Sequence, residues 1–251
     1  MADKPSVKVE YVIFDMDGLM IDSERVYTEV TNDILARYGK TMTWDIKAGL
    51  MGKPEREAAE HLLSFFPGIS LTIDEYLRER DAAQDLRWPH VQLLPGVERL
   101  VAHLHAHGIP MAIATGSRRA NFIAKTSRLG KVFALFDGRV VCGDDGKVRP
   151  GRAKPCPDVF LAAAREYLGR DVGGGEMDEC NDNEILERAK GLIFEDALPG
   201  VQAGKRAGME VVWVPDSNLL DVEYAGPRPD ETLNSLCEFS PEKYGLPPYD
   251  S

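Results

Sequence analysis

The sequence predicts an α/β protein with a doubly wound parallel sheet and a helical insertion near its start. From about residue 94 onward, short apolar runs alternate with amphipathic segments, as in repeated β–α units. Between residue 18 and about residue 93, apolar residues recur only at helical spacing, over a stretch too long for a loop between a strand and a helix. We therefore predict a core of residues 1–20 and 93–251, and a helical unit of residues 21–92 over the end of the sheet.

The elements follow in order along the chain. The first strand is predicted at residues 9–14, and the helical unit then opens with Asp22 or Ser23 as a helix N-cap. A second helix is predicted from near Pro54, and the run from Thr72 to Glu75 has the form of a capping box. Further strands are predicted at residues 111–114, 140–142, 192–194 and 211–214, with right-handed crossovers between them.

Two other segments carry conspicuous residues. Residues 171–184 are acidic and rich in glycine, and they do not fit the pattern of a calcium-binding loop, so we predict a mobile surface insertion. His103 and His107 are spaced to share a metal ion, with His105 between them, but no third ligand is suitably placed. We predict that these histidines form a solvated helix end.

Composition narrows the class of partner. The net charge of the 251 residues is −11, whereas nucleic acids and acidic membranes select basic surfaces. No stretch approaches the length of an apolar membrane span, the first residues lack a targeting pattern, and the four cysteines are far apart. We expect a cytoplasmic protein, a monomer by default, with no nucleic-acid or membrane partner. An anionic substrate would need a local group of cations or a metal ion.

Two carboxylates follow the first predicted strand directly. Asp15 and Asp17 are spaced i, i+2, and Gly18 then allows the backbone to turn away. Ligands of open α/β sheets bind at the carboxyl ends of the strands. Two acids this close repel each other unless a cation lies between them or one of them holds a proton. Alone, the pattern is more typical of an acidic turn, and the rest of the chain decides between the two interpretations.

Polar residues also follow the second, third and fourth core strands, at Thr115-Gly116-Ser117, Lys154 and Glu195-Asp196. In a parallel sheet, all of these positions converge on one edge. Acidic residues from two strand ends suit Mg²⁺, a hydroxyl at a helix start suits a phosphate group, and a lysine adds a point charge. Taken singly, Thr115 could be a helix cap, Lys154 a solvated charge and Glu195-Asp196 a helix start.

Together these residues predict phosphoryl transfer through an aspartyl phosphate. Asp15, first after the strand, is the candidate nucleophile. Asp17 is the candidate general acid and base, which requires a protonated carboxyl near neutral pH, and we expect the neighbouring acids to favour that form.

The four segments, in this order, resemble the motifs of the haloacid dehalogenase (HAD) superfamily of phosphatases. The resemblance implies a Rossmann-like core, and the helical insertion resembles the C1-type cap of that family. It further implies that Mg²⁺ is bound by Asp15, the carbonyl of Asp17 and Asp196, with Glu195 assisting. Over nearly its whole length the chain is similar to phosphatases of pseudouridine 5'-phosphate, but Cys156 after Pro155 departs from the common motif.

Substrate selection is expected in the helical insertion because the core would contact only phosphate. Lys53, at a turn, is the best candidate for a substrate contact, and Glu24 is a second. We predict a Mg²⁺-dependent phosphomonoesterase for a small phosphorylated metabolite, with pseudouridine 5'-phosphate as a candidate. The alternatives are a mutase resembling β-phosphoglucomutase, a phosphatase of sugar phosphates, glycerol phosphate or FMN, and a catalytically idle phosphate-binding protein.

Overall fold

A computed structural model describes residues 8–50, 55–220 and 226–250. Within these residues, six parallel strands form one sheet in the order β3-β2-β1-β4-β5-β6, which confirms the predicted fold class. The strands are β1 (Tyr11–Phe14), β2 (Met111–Ala114), β3 (Val140–Val141), β4 (Gly191–Glu195), β5 (Glu210–Trp213) and β6 (Glu231–Thr232). The prediction missed β6, because two residues at a sheet edge leave no recognisable pattern.

The first strand lies at the centre of the sheet and is fully buried. Phe14 is in register with Ile113 of β2 on one side and with Phe194 of β4 on the other. Val12 and Phe14 join the apolar cluster on one face of the sheet, whereas Tyr11 and Ile13 join the cluster on the other. Burial on both faces explains why the strand is a continuous apolar run.

Helices cover both faces of the sheet. In the core they are α5 (Val97–Ala106), α6 (Arg119–Thr126), α7 (Gly130–Phe133), α8 (Asp158–Leu168), α9 (Asp182–Arg188) and α10 (Leu198–Arg206). Apolar residues of α8 and α10 contribute to the same cluster as Tyr11, and those of α5 to the cluster of Phe14. No helix in the described ranges combines the length and the apolar character needed to cross a bilayer.

The inserted unit, here called the cap, contains α1 (Ser23–Ala36), α2 (Trp44–Leu50), α3 (Glu55–Ser64) and α4 (Ile73–Arg87). The predicted capping box is present, since Thr72 accepts from the backbone N–H of Glu75 and the Glu75 carboxylate accepts from that of Thr72. Asp22 precedes α1 but makes no side-chain cap hydrogen bond. Helix α2 was not predicted, because its seven residues bury only Ile46 and carry little periodicity.

The cap is joined to the core by two backbone segments that run side by side. Ile21 and Leu93 form an antiparallel bridge. On either side of it, the Asp22 N–H donates to the Gln92 carbonyl at 3.0 Å, and the Leu94 N–H donates to the Met20 carbonyl at 3.0 Å. The chain therefore enters and leaves the cap through one short ribbon.

Residues 171–184 differ from the predicted mobile insertion. They contain a 3₁₀ turn at Met177–Glu179 and lead into α9, which begins with a capping box at Asn181. The fully buried Arg188 donates to the carbonyls of Val172 at 2.6 Å and Gly175 at 3.0 Å. The segment is thus anchored from within by a guanidinium group.

The predicted solvated histidine end holds for His105 and His107, which are exposed, but it is wrong for His103. His103 is only 8% exposed. Its Nε2 lies 2.9 Å from the Pro247 carbonyl oxygen, and its ring lies 4.7 Å from that of Tyr249. The carboxy-terminal residues cover this helix face, and a contact so distant in sequence leaves no local pattern.

Candidate active site

The structure brings the polar ends of β1, β2 and β4 together with Lys154 on the floor of a cavity of about 670 Å³ between the cap and the sheet. Lys154 Nζ donates to Asp15 Oδ1, and at 2.6 Å to Glu195 Oε1. The other oxygen of Glu195 accepts from the Ala197 N–H at 2.9 Å. The Lys154 ammonium is therefore fixed between two carboxylates at neighbouring strand ends.

Burial dominates the electrostatics of this floor. It raises the pKa of Asp15 to about 7; Lys154 opposes the shift, whereas Glu195 and Asp17 add to it. Burial likewise raises the pKa of Asp196, and the charges of Glu195 and Asp15 raise it further. The pKa of Lys154 is raised because attraction to Asp15 and Glu195 outweighs its own burial. The floor thus holds more carboxylates than cations.

Asp17 has a different environment from Asp15. The fully buried Lys125 donates to Asp17 Oδ1 at 2.5 Å, and Ser117 Oγ donates to Asp17 Oδ2 at 2.7 Å. Burial acts to raise the pKa of Asp17, but Lys125 and the hydroxyl donor outweigh it, so this pKa is lowered. The expectation of a protonated Asp17 in the free protein is therefore wrong.

Lys125 is the principal site residue that the sequence analysis missed. It lies within α6, where a lysine is normally solvated, yet Tyr27 and Trp88 of the cap region cover it. Its ammonium donates to Tyr27 Oη at 3.0 Å and lies 4.3 Å from the centre of the Trp88 ring. The pKa of Lys125 is raised because attraction to Asp17 outweighs burial. No sequence pattern around Lys125 indicates this burial.

The residues predicted to bind phosphate, Thr115 to Ser117, follow β2. The Ser117 N–H donates to Thr115 Oγ1 at 3.0 Å, and Ser117 Oγ also accepts from Lys125 at 3.0 Å. Gly116 and Ser117 line the cavity, and α6 begins two residues later, at Arg119, rather than at Gly116. The loop of residues 115–117 therefore connects β2 to the Asp17–Lys125 pair.

The residues present fit a Mg²⁺ ion, although no three His, Cys, Asp or Glu side chains in the described ranges already converge as a ligand set. Asp196 is buried, and no described residue forms a hydrogen bond or ion pair with its carboxylate. Its Oδ2 packs against Gly18, where a Cβ atom would clash with that oxygen. Asp15 and Asp196 would supply the two carboxylates that Mg²⁺ commonly takes, together with carbonyl and water oxygens. Both oxygens of Glu195 already accept hydrogen bonds, so the geometry favours Glu195 as a support for Lys154.

Of the two predicted substrate contacts, one lies in the described structure. Glu24, at the start of α1, lines the cavity and pairs with Lys47 of α2 at 3.1 Å. Lys53 lies outside the described residues. Cap residues that the sequence analysis did not select, among them Lys47, Arg80 and Gln84, also line the cavity.

Comparison with known proteins identifies the family of the chain. A family model for haloacid dehalogenase-like hydrolases matches residues 9–208. The chain is 44% identical over 243 residues to (DL)-glycerol-3-phosphatase 1, mitochondrial, of Arabidopsis thaliana, covering 96% of this chain and 75% of that protein. It is 37% identical over 245 residues to a probable pseudouridine-5'-phosphatase of Saccharomyces cerevisiae, covering 96% and 98%.

A solved structure shares the fold. A HAD family hydrolase from Deinococcus radiodurans R1, with bound phosphate and sodium, superposes with a TM-score of 0.71 at 20% identity, covering 97% of this chain and 100% of that one. Family model, relatives and fold agree with one another. The chain therefore belongs to the haloacid dehalogenase-like hydrolase family, within which its relatives place it among the phosphatases.

Proposed function

We propose that the protein is a Mg²⁺-dependent phosphomonoesterase that hydrolyses a small phosphorylated metabolite through an aspartyl phosphate on Asp15. The observation that carries the proposal is the clamp on Asp15. Lys154 holds its Oδ1, whereas its Oδ2 accepts no hydrogen bond from a described residue. One carboxylate oxygen is thus positioned at the cavity floor and the other is free to attack.

In the first half-reaction, Asp15 Oδ2 forms a bond to phosphorus and the ester P–O bond to the leaving group breaks. Attack by a carboxylate on a phosphate dianion requires that the negative charge be neutralised. Lys154 contributes to this from one side, and Mg²⁺, when bound by Asp15 and Asp196, would supply the remaining positive charge. Thr115 and Ser117, whose hydroxyl groups lie beside Asp17, would hold the phosphate oxygens.

Asp17 serves as the proton carrier in this mechanism. Its carboxylate is ionised in the free protein, but a phosphate group bound beside it disfavours the ionised form. Once protonated, it can donate to the oxygen of the leaving group. In its ionised form it can then take a proton from the water that attacks the phosphorus of the aspartyl phosphate. The bond between phosphorus and Asp15 Oδ2 breaks in this step, which releases inorganic phosphate and restores the Asp15 carboxylate. Lys125 and Ser117 keep the Asp17 carboxylate oriented through both steps.

Relatives named for glycerol 3-phosphate and pseudouridine 5'-phosphate support a phosphate ester of a small hydroxylated alcohol as the substrate. A cavity of about 670 Å³ is large enough for either molecule. We propose pseudouridine 5'-phosphate and glycerol 3-phosphate as the first substrates to compare.

The test measures phosphate release with Mg²⁺ from these two substrates and from p-nitrophenyl phosphate. Asp15→Asn should lower turnover by at least about a thousandfold while leaving the fold intact, because an amide cannot act as the nucleophile. Asp33→Asn, at a carboxylate 64% exposed on the cap, is the matched control and should retain full turnover. Retained turnover in Asp15→Asn would refute the assignment of the nucleophile.

A second variant tests the intermediate. Asp17→Asn should still accept phosphate from p-nitrophenyl phosphate, whose leaving group needs no proton, and should release it slowly. Mass spectrometry should then show one added phosphate on the protein. Isomerisation of a sugar phosphate without release of phosphate would identify the enzyme as a mutase instead.

A further inference from the structure

One face of helix α4 lines the cavity along its length. Tyr76, Arg80 and Gln84, followed by Trp88 at the helix end, recur every four residues, and all four face the same space. Residues four apart on a helix lie on one side, about 6 Å apart along the axis. The cap therefore presents a row of four side chains to any molecule that occupies the cavity.

Gln84 is the unusual member of this row. It is only 5% exposed, yet its Nε2 has no hydrogen-bond partner among the described residues. A buried amide donor without a partner is destabilising, and a hydrophobic residue of the same shape would avoid that cost. The amide therefore acts as a donor held ready for a group that enters the cavity.

The position of Gln84 indicates which part of a substrate it meets. Trp88, one turn along, contacts Lys125, and Lys125 in turn binds Asp17. Because Asp17 is the proposed acid for the leaving oxygen, the row on α4 runs away from the phosphate along the leaving group. Gln84 is about one helical turn beyond the Trp88 position. It therefore faces the first few atoms after the ester oxygen.

The cations that line this side of the cavity are already paired among the described residues. Arg80 binds Glu55 and Asp81, each at 2.6 Å, and Lys47 binds Glu24 at 3.1 Å. Arg118 of the core, at the rim, lies 3.3 Å from the same Glu55. Within the described part of the chain, these pairs leave no free cation on this side to receive a second anionic group. An uncharged leaving group fits this balance.

We propose that Gln84 forms a cap-side subsite that binds an uncharged leaving group by donating a hydrogen bond to one of its hydroxyl or ring oxygens. The proposal rests on the phosphatase function above and narrows the substrate class to phosphate monoesters whose polyol or sugar group carries no charge. Gln84 acts on specificity and takes no part in the chemical step.

The test compares phosphate esters that differ in hydroxyl groups alone. Glycerol 3-phosphate and n-propyl phosphate share a three-carbon chain, and ribose 5-phosphate extends the series. The wild-type protein should favour the hydroxylated esters by at least about tenfold in kcat/KM. In Gln84→Met, which preserves length and removes the amide, kcat/KM for these esters should fall about tenfold and that for n-propyl and p-nitrophenyl phosphate should not change.

Gln92→Met is the matched control, because Gln92 is exposed and donates to the His90 carbonyl outside the cavity. It should leave both classes of substrate unaffected. Thermal unfolding supplies the second readout: Gln84→Met should not lower Tm, since the lost amide has no partner in the free protein. A structural role for Gln84 would instead lower Tm and slow all substrates alike.

Three outcomes would overturn the proposal. The first is an equal loss on hydroxylated and plain esters in Gln84→Met, and the second is a clear fall in its Tm. The third is a wild-type preference for 3-phosphoglycerate, in which a carboxylate replaces one end of the glycerol skeleton, over glycerol 3-phosphate. Failure of the phosphatase function is distinguishable from all of these, because the wild-type protein would then hydrolyse none of the esters.

Discussion

Lys125 and Lys131 allow the effect of burial on the strength of an ion pair to be separated from the effect of distance. Lys125 Nζ lies 2.5 Å from Asp17, and its side chain is 0% exposed. Lys131 Nζ lies 2.6 Å from Glu98, but its side chain is 87% exposed. The two ion pairs have the same chemistry and nearly the same length. We predict that Lys125→Met strongly destabilises the protein, whereas Lys131→Met has no measurable effect on the free energy of unfolding.

The magnitude for Lys125 follows from its surroundings. At 2.5 Å and an effective dielectric constant of about 20, the attraction between Lys125 and Asp17 is about 7 kcal/mol. Removing two charges from water costs several kcal/mol per ion, which offsets much of this. Loss of one partner of a buried pair therefore typically costs about 3–5 kcal/mol, because the other charge stays buried. Tyr27 and Ser117 would also lose a donor at 3.0 Å.

The assay is urea unfolding of Lys125→Met, Asp17→Asn and the double variant at neutral pH. We expect the double variant to be at least about 2 kcal/mol more stable than the sum of the single effects implies, because both charges are then gone. Lys131→Met serves as the control. A loss below about 1 kcal/mol in Lys125→Met, or strict additivity in the cycle, would refute the argument that burial determines the strength of this pair.

The dependence of stability on pH gives an independent check of the direction in which the pKa of Asp17 is shifted. The pKa of Asp17 in the folded protein lies below its ordinary value of 3.8, so unfolding takes up a proton at acidic pH. The stability that the ion pair confers is therefore present above that ordinary value, and it is lost as the pH falls through the folded-state pKa. In Lys125→Met, this acid-side loss of stability should shrink.

Three further predictions concern the rest of the site and its support. At pH 8, adding Mg²⁺ at about 100 times its Kd should stabilise the wild-type protein by about 2.7 kcal/mol, which is measured as a rise in Tm. In Asp196→Asn, Mg²⁺ should no longer raise Tm, and an undiminished rise would place the ion elsewhere. Arg188→Met should destabilise by about 3 kcal/mol, since the buried Val172 carbonyl and the partly buried Gly175 carbonyl lose their donor. Limited proteolysis should then cut first within residues 171–180, and cutting elsewhere first would contradict the anchoring role. Gly18→Ala should cost at least about 1 kcal/mol from its positive φ and should abolish turnover by displacing Asp196; normal turnover would count against that contact.

The residues at the strand ends were predictable because the prediction depended on topology alone. Once β1, β2 and β4 are parallel neighbours, Asp15, Thr115 and Glu195 must lie at one edge of the sheet. The apolar runs that define those strands are strong signals because both faces of the sheet are covered. The elements that the sequence did not predict, such as α2 and β6, are short and bury too few residues to show a period.

Lys125 shows why the electrostatics could not be predicted in the same way. In the sequence, the only charged groups close to Asp17 are acids, and these predict a protonated carboxyl. The sign of the pKa shift is instead set by an ammonium from α6, which Tyr27 and Trp88 of the cap region shield from water. Three segments far apart in the chain must meet before that environment exists. The pKa of Asp17 is therefore a property of the assembled fold.

The ribbon between cap and core determines how easily the cap could be removed from the chain. Because the backbones at Ile21 and Leu93 are already hydrogen-bonded neighbours, the ends of the chain left by excising the cap would lie side by side. A turn of a few residues could rejoin them without disturbing the order of the strands. The cap could thus be exchanged between related cores as one unit, provided that the new cap also supplies the cover that Tyr27 and Trp88 give to Lys125.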